Sequence, residues 1–380
     1  MITAAVIGTG YIGPIHIEAL CRLGGVKVKG VCDVNRDLAE RVAARYNIEK
    51  VYTDWQEVIK DPSVQVVHIC SPNSMHYEMS KAAIDAGKHV MSEKPLAMTL
   101  AEAEKLVNAA KIKGIVTGVH FCYRYYPSVL EMAMRIKSGD AGQVRMVTGT
   151  WFQDWLSRPE DWTWRLEKSQ SGDSNIAGDL GSHWFDLIQF ATGLKVSEVM
   201  ADFSTIIPTR RKPKKQVIAF EKASVGDFED VKVELEEYAA VLFRFDNGRP
   251  GTFTTCQAAH GKKSDMEFQV YASEYSLAWN HSESNRLWIG HREKPNEILF
   301  ENPVLQNPGI ASYATLPAGH PLGYNDAVLN LFKDFYEDVG LGRNNIDRLF
   351  PRPTFVAGAE EMRILKAIVE SVKKRTWVKV

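Results

Sequence analysis

Near the N-terminus, the apolar run Ile2-Thr3-Ala4-Ala5-Val6-Ile7 leads directly into Gly8-Thr9-Gly10-Tyr11-Ile12-Gly13. A short apolar run ending in glycines suits a buried parallel strand. From about Pro14 to Leu23 the sequence reads as a helix, with Pro14 tolerated in its first turn. Strand, GxGxxG loop and helix in that order describe a βαβ entry that binds a dinucleotide. The first glycine permits the tight turn, the second lets the backbone approach a pyrophosphate, and the third lets helix and strand pack closely. The helix N-terminus then faces the negative charge. Alone, the glycine pattern is a weak signal. Asp33, 20 positions past Gly13 at the end of the next strand, strengthens it, because a carboxylate there accepts hydrogen bonds from ribose hydroxyls. That carboxylate would repel a 2′-phosphate, which favours NAD and leaves NADP as the lesser option. Arg36 is a small counterweight, since an arginine can accommodate the phosphate. Tyr11 and Ile12 in the loop, and Val34 beside Asp33, are expected to line the same groove.

The alternation continues. Strand-like Val26–Cys32, Gln65–Cys70, His89–Ser92 and Ile115–Val119 are separated by helical Arg36–Tyr46, Ser74–Ala86 and a helix starting at Thr99. Glu102, three residues after Thr99, completes a capping box. Strands alternating with helices indicate a parallel, doubly wound sheet. After about residue 122 the pattern changes. Val144–Gln153 alternates like a long half-exposed strand, and 196–206, 238–245, 251–259, 266–272 and 276–280 follow as strands in close succession. Asp246-Asn247-Gly248 supplies a hairpin turn. Closely spaced strands without helices between them predict a large mixed or antiparallel sheet, with one face covered by helices and the other by solvent or another subunit. The expected organisation is an α/β Rossmann domain over 1–122 and an α+β domain over 123–380. Helices at about 323–339 and 354–373 should pack back on the second sheet.

Composition narrows the function classes. The 380 residues suit two domains, and a net charge of −1 gives no general attraction to nucleic acid or anionic membranes. No apolar run approaches the roughly 20 residues a membrane-spanning helix needs. The chain starts straight into a strand without a basic leader, so no export signal is expected. Cys21, Cys32, Cys70, Cys122 and Cys256 are scattered and form no CxxC pair, which fits a reducing, cytoplasmic setting. The basic run Arg210-Arg211-Lys212-Pro213-Lys214-Lys215, followed by Glu221, Asp227, Glu229 and Asp230, reads as a solvated loop between strands.

Two further motifs carry chemistry. Glu93-Lys94-Pro95 follows a strand at the carboxyl edge of the sheet, where doubly wound folds bind ligands. A lysine there can direct its ammonium at a reacting oxygen or at the cofactor, although the tripeptide also fits a plain surface turn. The second is Gly178-Asp179-Leu180-Gly181-Ser182-His183-Trp184-Phe185-Asp186. With a helix from Leu180 onward, Asp179 and His183 stand four apart and share a face at its N-terminal end. A histidine can take a hydroxyl proton, and an aspartate can orient it. Carboxylate and imidazole at helical spacing also fit zinc, but no clear third ligand is visible, and no metal is expected. A helix cap with a satisfied histidine is the plain reading. Asp186, one turn on, reads as structural.

Together these residues resemble the Gfo/Idh/MocA family of sugar and inositol oxidoreductases. The matching elements are AVIGTGYIG with Asp33, SPNSMH (Ser71–His76), SEKPL (Ser92–Leu96), GDLGSHWFD (Gly178–Asp186) and GHPLGY (Gly319–Tyr324), in family order along most of the chain. The resemblance implies that Lys94, Asp179 and His183 form one catalytic set. It implies that Ser71, Pro72, Asn73, His76 and Glu93 line the cofactor groove, and that the second domain holds a large open, mostly antiparallel sheet that mediates a homodimer or homotetramer. TWFQDWL and TWRLEKSQSG resemble the branch of sugar and cyclitol dehydrogenases. By that likeness Gln153 and Arg165 reach substrate hydroxyls, while Tyr123 and Arg124 sit near the nicotinamide end. Of Trp151, Trp155, Trp162 and Trp164, at least two are expected in the core. Cys122 stands where relatives often carry asparagine, and Ser273-Glu274-Tyr275-Ser276 replaces a glycine-bearing turn.

The reaction implied is NAD-dependent oxidation of a secondary hydroxyl of a sugar, sugar derivative or cyclitol, with His183 as general base. Redox-assisted cleavage of a glycoside with NAD retained is the alternative. A non-catalytic NAD-binding regulator is the third option.

Overall fold

The structure, a computed structural model, describes residues 1–214 and 228–380 and divides into two compact units. Met1–Cys122 and Asn325–Met362 form the first, and Tyr123–Tyr324 and Arg363–Val380 the second.

In the first unit, β1 (Ile2–Ile7), β2 (Val26–Cys32), β3 (Lys50–Tyr52), β4 (Val66–Ile69), β5 (His89–Ser92) and β6 (Thr117–Val119) form one sheet. All pairings are parallel, in the order β3-β2-β1-β4-β5-β6. Helices α1 (Ile12–Leu23), α2 (Arg36–Tyr46), α3 (Trp55–Lys60), α4 (Asn73–Asp85) and α5 (Leu100–Lys113) make the crossovers. Strand order reverses between β1 and β4, so the glycine loop opens at the topological switch point. Every residue of β4 is buried, as a strand covered on both faces requires. The helix boundaries follow local chemistry. Asn35 caps α2, the Thr99–Glu102 capping box starts α5 with both of its bonds, and left-handed Gly114 ends α5. Sequence patterning did not anticipate β3 or α3, because three and six residues are too few to establish a period.

The second unit contains α6 (Pro127–Lys137), the short α7 (Lys168–Ser171), α8 (Ser182–Thr192) and a nine-stranded sheet. Its strands are β7 (Val144–Phe152), β8 (Val196–Ser204), β11 (Tyr238–Phe245), β12 (Pro250–Cys256), β13 (Asp265–Ala272), β14 (Ser276–Asn280), β15 (Arg286–Gly290), β16 (Glu297–Phe300) and β17 (Val378–Lys379). Among the described residues of this sheet, only β7 and β12 pair in parallel. The Asp246-Asn247-Gly248 turn joins β11 to β12, with Gly248 at φ 80°. Ser182 through Gln189 in α8 are all buried, and Trp184 stacks on Phe253 of the sheet at 4.4 Å. A helix buried on every face is a core helix, and its polar side chains need partners there.

Two expectations are corrected. The basic run is not a solvated loop: Thr209–Pro213 (β9) pairs with Phe228–Lys232 (β10), and Arg210 is fully buried. Its guanidinium pairs with buried Glu237 and donates to the carbonyls of Leu156, Arg158 and Asp161. A buried charge persists only when paired and hydrogen-bonded, and no local pattern reveals such a partner. Lys215, Glu221 and Asp227 lie outside the described residues. The C-terminal helices also divide differently from the expected 123–380 domain. Of α9 (Tyr324–Leu341) and α10 (Phe355–Lys374), the part within Asn325–Met362 belongs to the first unit. There Phe332 packs edge-on against His16 and His68. An amphipathic helix shows in sequence that it is covered, but not by which sheet.

Candidate active site

Three glycines shape the cofactor loop. Gly8 has φ +97°, and a Cβ there would meet the Cys70 carbonyl oxygen at 2.4 Å. A Cβ on Gly13 would lie 2.1 Å from the Gly8 carbonyl oxygen, so helix and loop close together only with glycine. Gly10 faces open space, with nothing within 4 Å of its Cβ position. Neither α1 nor α4 has a side-chain cap, and the N-terminal end of each helix carries the positive end of its dipole, which suits an anionic ligand. Asp33 ends β2 at this edge. Its Oδ2 accepts from the Thr9 N–H at 2.8 Å and the Thr9 hydroxyl at 2.9 Å, and its Oδ1 from the Asn35 N–H at 2.9 Å. The carboxylate therefore braces the glycine loop. These features fit a dinucleotide: a cradle that side chains would fill, donors for the pyrophosphate, and an acidic residue at the end of β2.

Tyr11 and Val34 are exposed, Ile12 is half-buried, and Ser71, Pro72 and Asn73 form the partly open turn into α4. Lys94 is half-buried after β5. Arg36 is paired with Glu40. Two residues expected in the groove are turned inward. His76 is fully buried, with Nδ1 on the Pro95 carbonyl at 2.7 Å and Nε2 on the Ser71 carbonyl at 2.8 Å. It ties the two groove turns together rather than facing a ligand. The Glu93 carboxylate is occupied by His16 and His120, while its Oε2 accepts the Lys94 N–H at 3.3 Å. Both groups are satisfied by partners within the protein.

In the second unit, Asp179 lies in a π-helical turn, Ala177–Gly181, and His183 in the first turn of α8. The expected helix from Leu180 thus starts as a wider π turn, a distortion frequent at functional sites. Glu236 holds this turn in place. Its carboxylate accepts from the Ser174 hydroxyl at 2.6 Å and from the N–H groups of Asn175 and Ala177, each at 3.1 Å. Burial raises the Glu236 pKa, against the pull of these donors. Arg165 Nε stands 3.2 Å from Asp179 Oδ1 and Gln257 Nε2 3.2 Å from Oδ2. The His183 ring is set edge-on to Tyr123, centroids 5.0 Å apart, and lies 5.9 Å from Trp151. Gln153 Oε1 accepts from the Trp155 indole at 2.7 Å.

Arg124, expected near the nicotinamide end, is engaged by a carboxylate of its own unit. It is buried, bound by two nitrogens to Asp186, with its guanidinium 5.1 Å from the Phe190 ring centre. Asp186 is accordingly its structural partner. Of the four tryptophans, Trp151 is fully buried, Trp155 and Trp162 pack on the small cluster of Leu156, Leu166 and Val233, and Trp164 lies under Arg165. Sequence reasoning missed Gln257, Glu236 and the histidines around Glu93. His16, three residues past Gly13, and His68, three before Ser71, stood near recognised motifs.

Residues 2–121 match the family profile described as oxidoreductase family, NAD-binding Rossmann fold, and residues 129–278 match the GFO/IDH/MocA C-terminal domain. The levoglucosan dehydrogenase of Pseudarthrobacter phenanthrenivorans is 30% identical over 100% of this chain and 98% of its own length. The chain belongs to the GFO/IDH/MocA oxidoreductase family. A second GFO/IDH/MocA relative, the myo-inositol 2-dehydrogenase of Thermotoga maritima, is 28% identical over 71% of this chain and 72% of its own. A levoglucosan dehydrogenase solved in complex with NADH and L-sorbose superposes with TM-score 0.89 at 29% identity, covering 100% of this chain and 98% of that one. As a member of the family, the chain is an oxidoreductase that uses NAD, and residues 2–121 are its NAD-binding Rossmann domain. No helix among the described residues is long and apolar enough to cross a membrane.

Proposed function

We propose that this protein oxidises a secondary hydroxyl of a sugar, sugar derivative or cyclitol to a ketone, with His183 as general base. The observation that carries the reading is the ordered start of α8. There Asp179 is fixed by Arg165 and Gln257, and the His183 ring by Tyr123 and Trp151. The names of the relatives, levoglucosan dehydrogenase and myo-inositol 2-dehydrogenase, support the substrate class.

In this reading His183 takes the hydroxyl proton while the carbon–oxygen bond becomes a carbonyl. Asp179 orients the imidazole and supports the imidazolium that forms. The Lys94 ammonium stabilises the oxygen. NAD, when bound, accepts the hydride. Arg165 and Gln153 supply polar contacts to neighbouring hydroxyls, and Trp164 an apolar face for the ring. The uncovered face of the second sheet, where exposed Leu242 and Met200 stand opposite each other, is assigned to a contact between copies of the chain. Light scattering that gives a monomer would remove that assignment.

The test of the reaction is NADH formation with cyclitols, monosaccharides, anhydrosugars and glycosides. His183→Ala and Lys94→Met should each lower kcat by about 10²-fold or more, the scale of a lost acid–base group. Activity surviving in both would overturn the residue roles. Sugar released from a glycoside without net NADH would replace oxidation by redox-assisted cleavage.

A further inference from the structure

A line of buried polar side chains runs through the first unit beneath the turn that carries Lys94. Tyr336 of α9 touches His68 of β4, its hydroxyl 2.9 Å from Nε2. His68 Nδ1 lies 3.0 Å from Nδ1 of His16, which belongs to α1. His16 Nε2 lies 3.1 Å from Glu93 Oε1, and His120 Nδ1 lies 2.7 Å from the same oxygen. His16 and His68 are fully enclosed, and Phe332 packs edge-on against both, fixing their planes.

Hydrogen-bond chemistry allows one direction through this line. A carboxylate only accepts, and a neutral imidazole has one donor and one acceptor nitrogen. His16 must therefore donate from Nε2 to Glu93, which leaves its Nδ1 as acceptor. His68 then donates from Nδ1, its Nε2 accepts, and the Tyr336 hydroxyl donates into it. The ionisation states agree. Burial alone would raise the Glu93 pKa, but His120 and His16 hold it well below the carboxylate range. Burial, reinforced by His120, lowers His16 to about 4, and burial keeps His68 neutral and Tyr336 protonated.

We propose that Tyr336, His68 and His16 form a polarised hydrogen-bond relay that anchors Glu93 and so sets the turn presenting Lys94. Tyr336 and His68 are positioning residues, Tyr336 acting through both imidazoles and His68 through that of His16. The relay's effect on turnover rests on the proposed role of Lys94, whereas its proton order does not. The same His16, Glu93 and His120 atoms are also close enough together to attract a metal ion. Bonds of about 2.0–2.1 Å in a tetrahedral zinc site would hold ligand atoms roughly 3.3 Å apart. The observed 3.1 and 2.7 Å are hydrogen-bond separations instead.

Imidazole ¹⁵N NMR of the full-length protein without cofactor, with signals assigned by single substitution, tests the order directly. His16 should carry its proton on Nε2 and His68 on Nδ1; the opposite tautomer at either residue overturns the relay. Stoichiometric zinc in the purified protein would overturn it as well. Tyr336→Phe should add a second, reversed set of His68 signals, and one unchanged set removes Tyr336 from the relay. His68→Asn keeps a donor towards His16 and should retain kcat within about twofold. His68→Leu should lower kcat several-fold with little change in sugar KM. Equal kcat in the two His68 variants would overturn the positioning role. Correct tautomers in a protein without dehydrogenase activity would leave the relay standing and remove the proposed function instead.

Discussion

Gln257 Nε2 lies 3.2 Å from Asp179 Oδ2, while Gln257 Oε1 accepts from Asn175 Nδ2 at 3.1 Å. The amide thus fixes the carboxylate from a position 78 residues away in sequence. Gln257→Leu should lower kcat about 10-fold, since a hydrogen bond to a charged group contributes about 1.5–3 kcal/mol. Gln257→Glu should lower it further, because it sets a second carboxylate against Asp179. Steady-state kinetics at saturating NAD measure both.

The glycine loop separates folding from binding. Gly13→Ala puts a methyl group 2.1 Å from the Gly8 carbonyl oxygen and should destabilise the fold by about 2–4 kcal/mol. Gly10→Ala meets nothing within 4 Å, so its melting temperature should stay near that of the unaltered protein. Its methyl group enters the space the pyrophosphate needs, so the KM for NAD should rise at least 10-fold. Thermal melts and NAD titrations distinguish the two.

Arg210 and Glu237 are both fully enclosed in the second unit. Arg210→Met leaves a buried carboxylate without its partner and should cost about 3–5 kcal/mol. The double variant Arg210→Met, Glu237→Leu should be less destabilised than Arg210→Met alone, because no uncompensated charge remains. Denaturant midpoints with unchanged slopes test this. The carbonyls of Leu156, Arg158 and Asp161 also lose their donor, so the segment leading to Arg165 should loosen and sugar KM should rise.

Acid should weaken the first unit earlier than carboxylate titration alone would. An unfolded His16 takes up a proton near pH 6.5, the folded one only near 4, where burial has pushed it. Between those values the unfolded chain binds more protons, so stability falls as pH falls. The loss is on the order of 3 kcal/mol across that window, at 1.36 kcal/mol per pKa unit. The depressed Glu93 adds a further loss that begins as the unfolded carboxylate takes up its proton near pH 4.5 and is complete only where the folded one does. His16→Gln, which keeps a donor towards Glu93 but does not titrate, should flatten the decline in urea midpoint between pH 6.5 and 4.5.

Features built from residues close in sequence were legible beforehand. The strand, glycine loop and helix at the N-terminus, the Thr99–Glu102 box and the Asp246-Asn247-Gly248 turn each depend on a few neighbouring residues. The alternating elements of the first unit and the crowded strands of the second followed from hydrophobic period. Short edge strands such as β3 and β16 escaped, since four or fewer residues with mixed exposure carry no period.

The sequence by itself determined that a dinucleotide-binding βαβ domain precedes a large, mostly antiparallel sheet, because glycine sterics and apolar periodicity act locally. Motifs resembling a known family also made Lys94, Asp179 and His183 the candidate catalytic set. Only the tertiary structure decided which polar side chains face inward. Glu93 and His76 left the groove for buried partners, Arg124 went to Asp186, and Arg210 became the centre of a buried ion pair. Gln257 was drawn to Asp179, and Tyr336 to His68, across 268 residues in the latter case. The physical reason is common to all of them. A polar group leaving water must find a partner, and folding, not sequence spacing, decides which partner is within 3 Å.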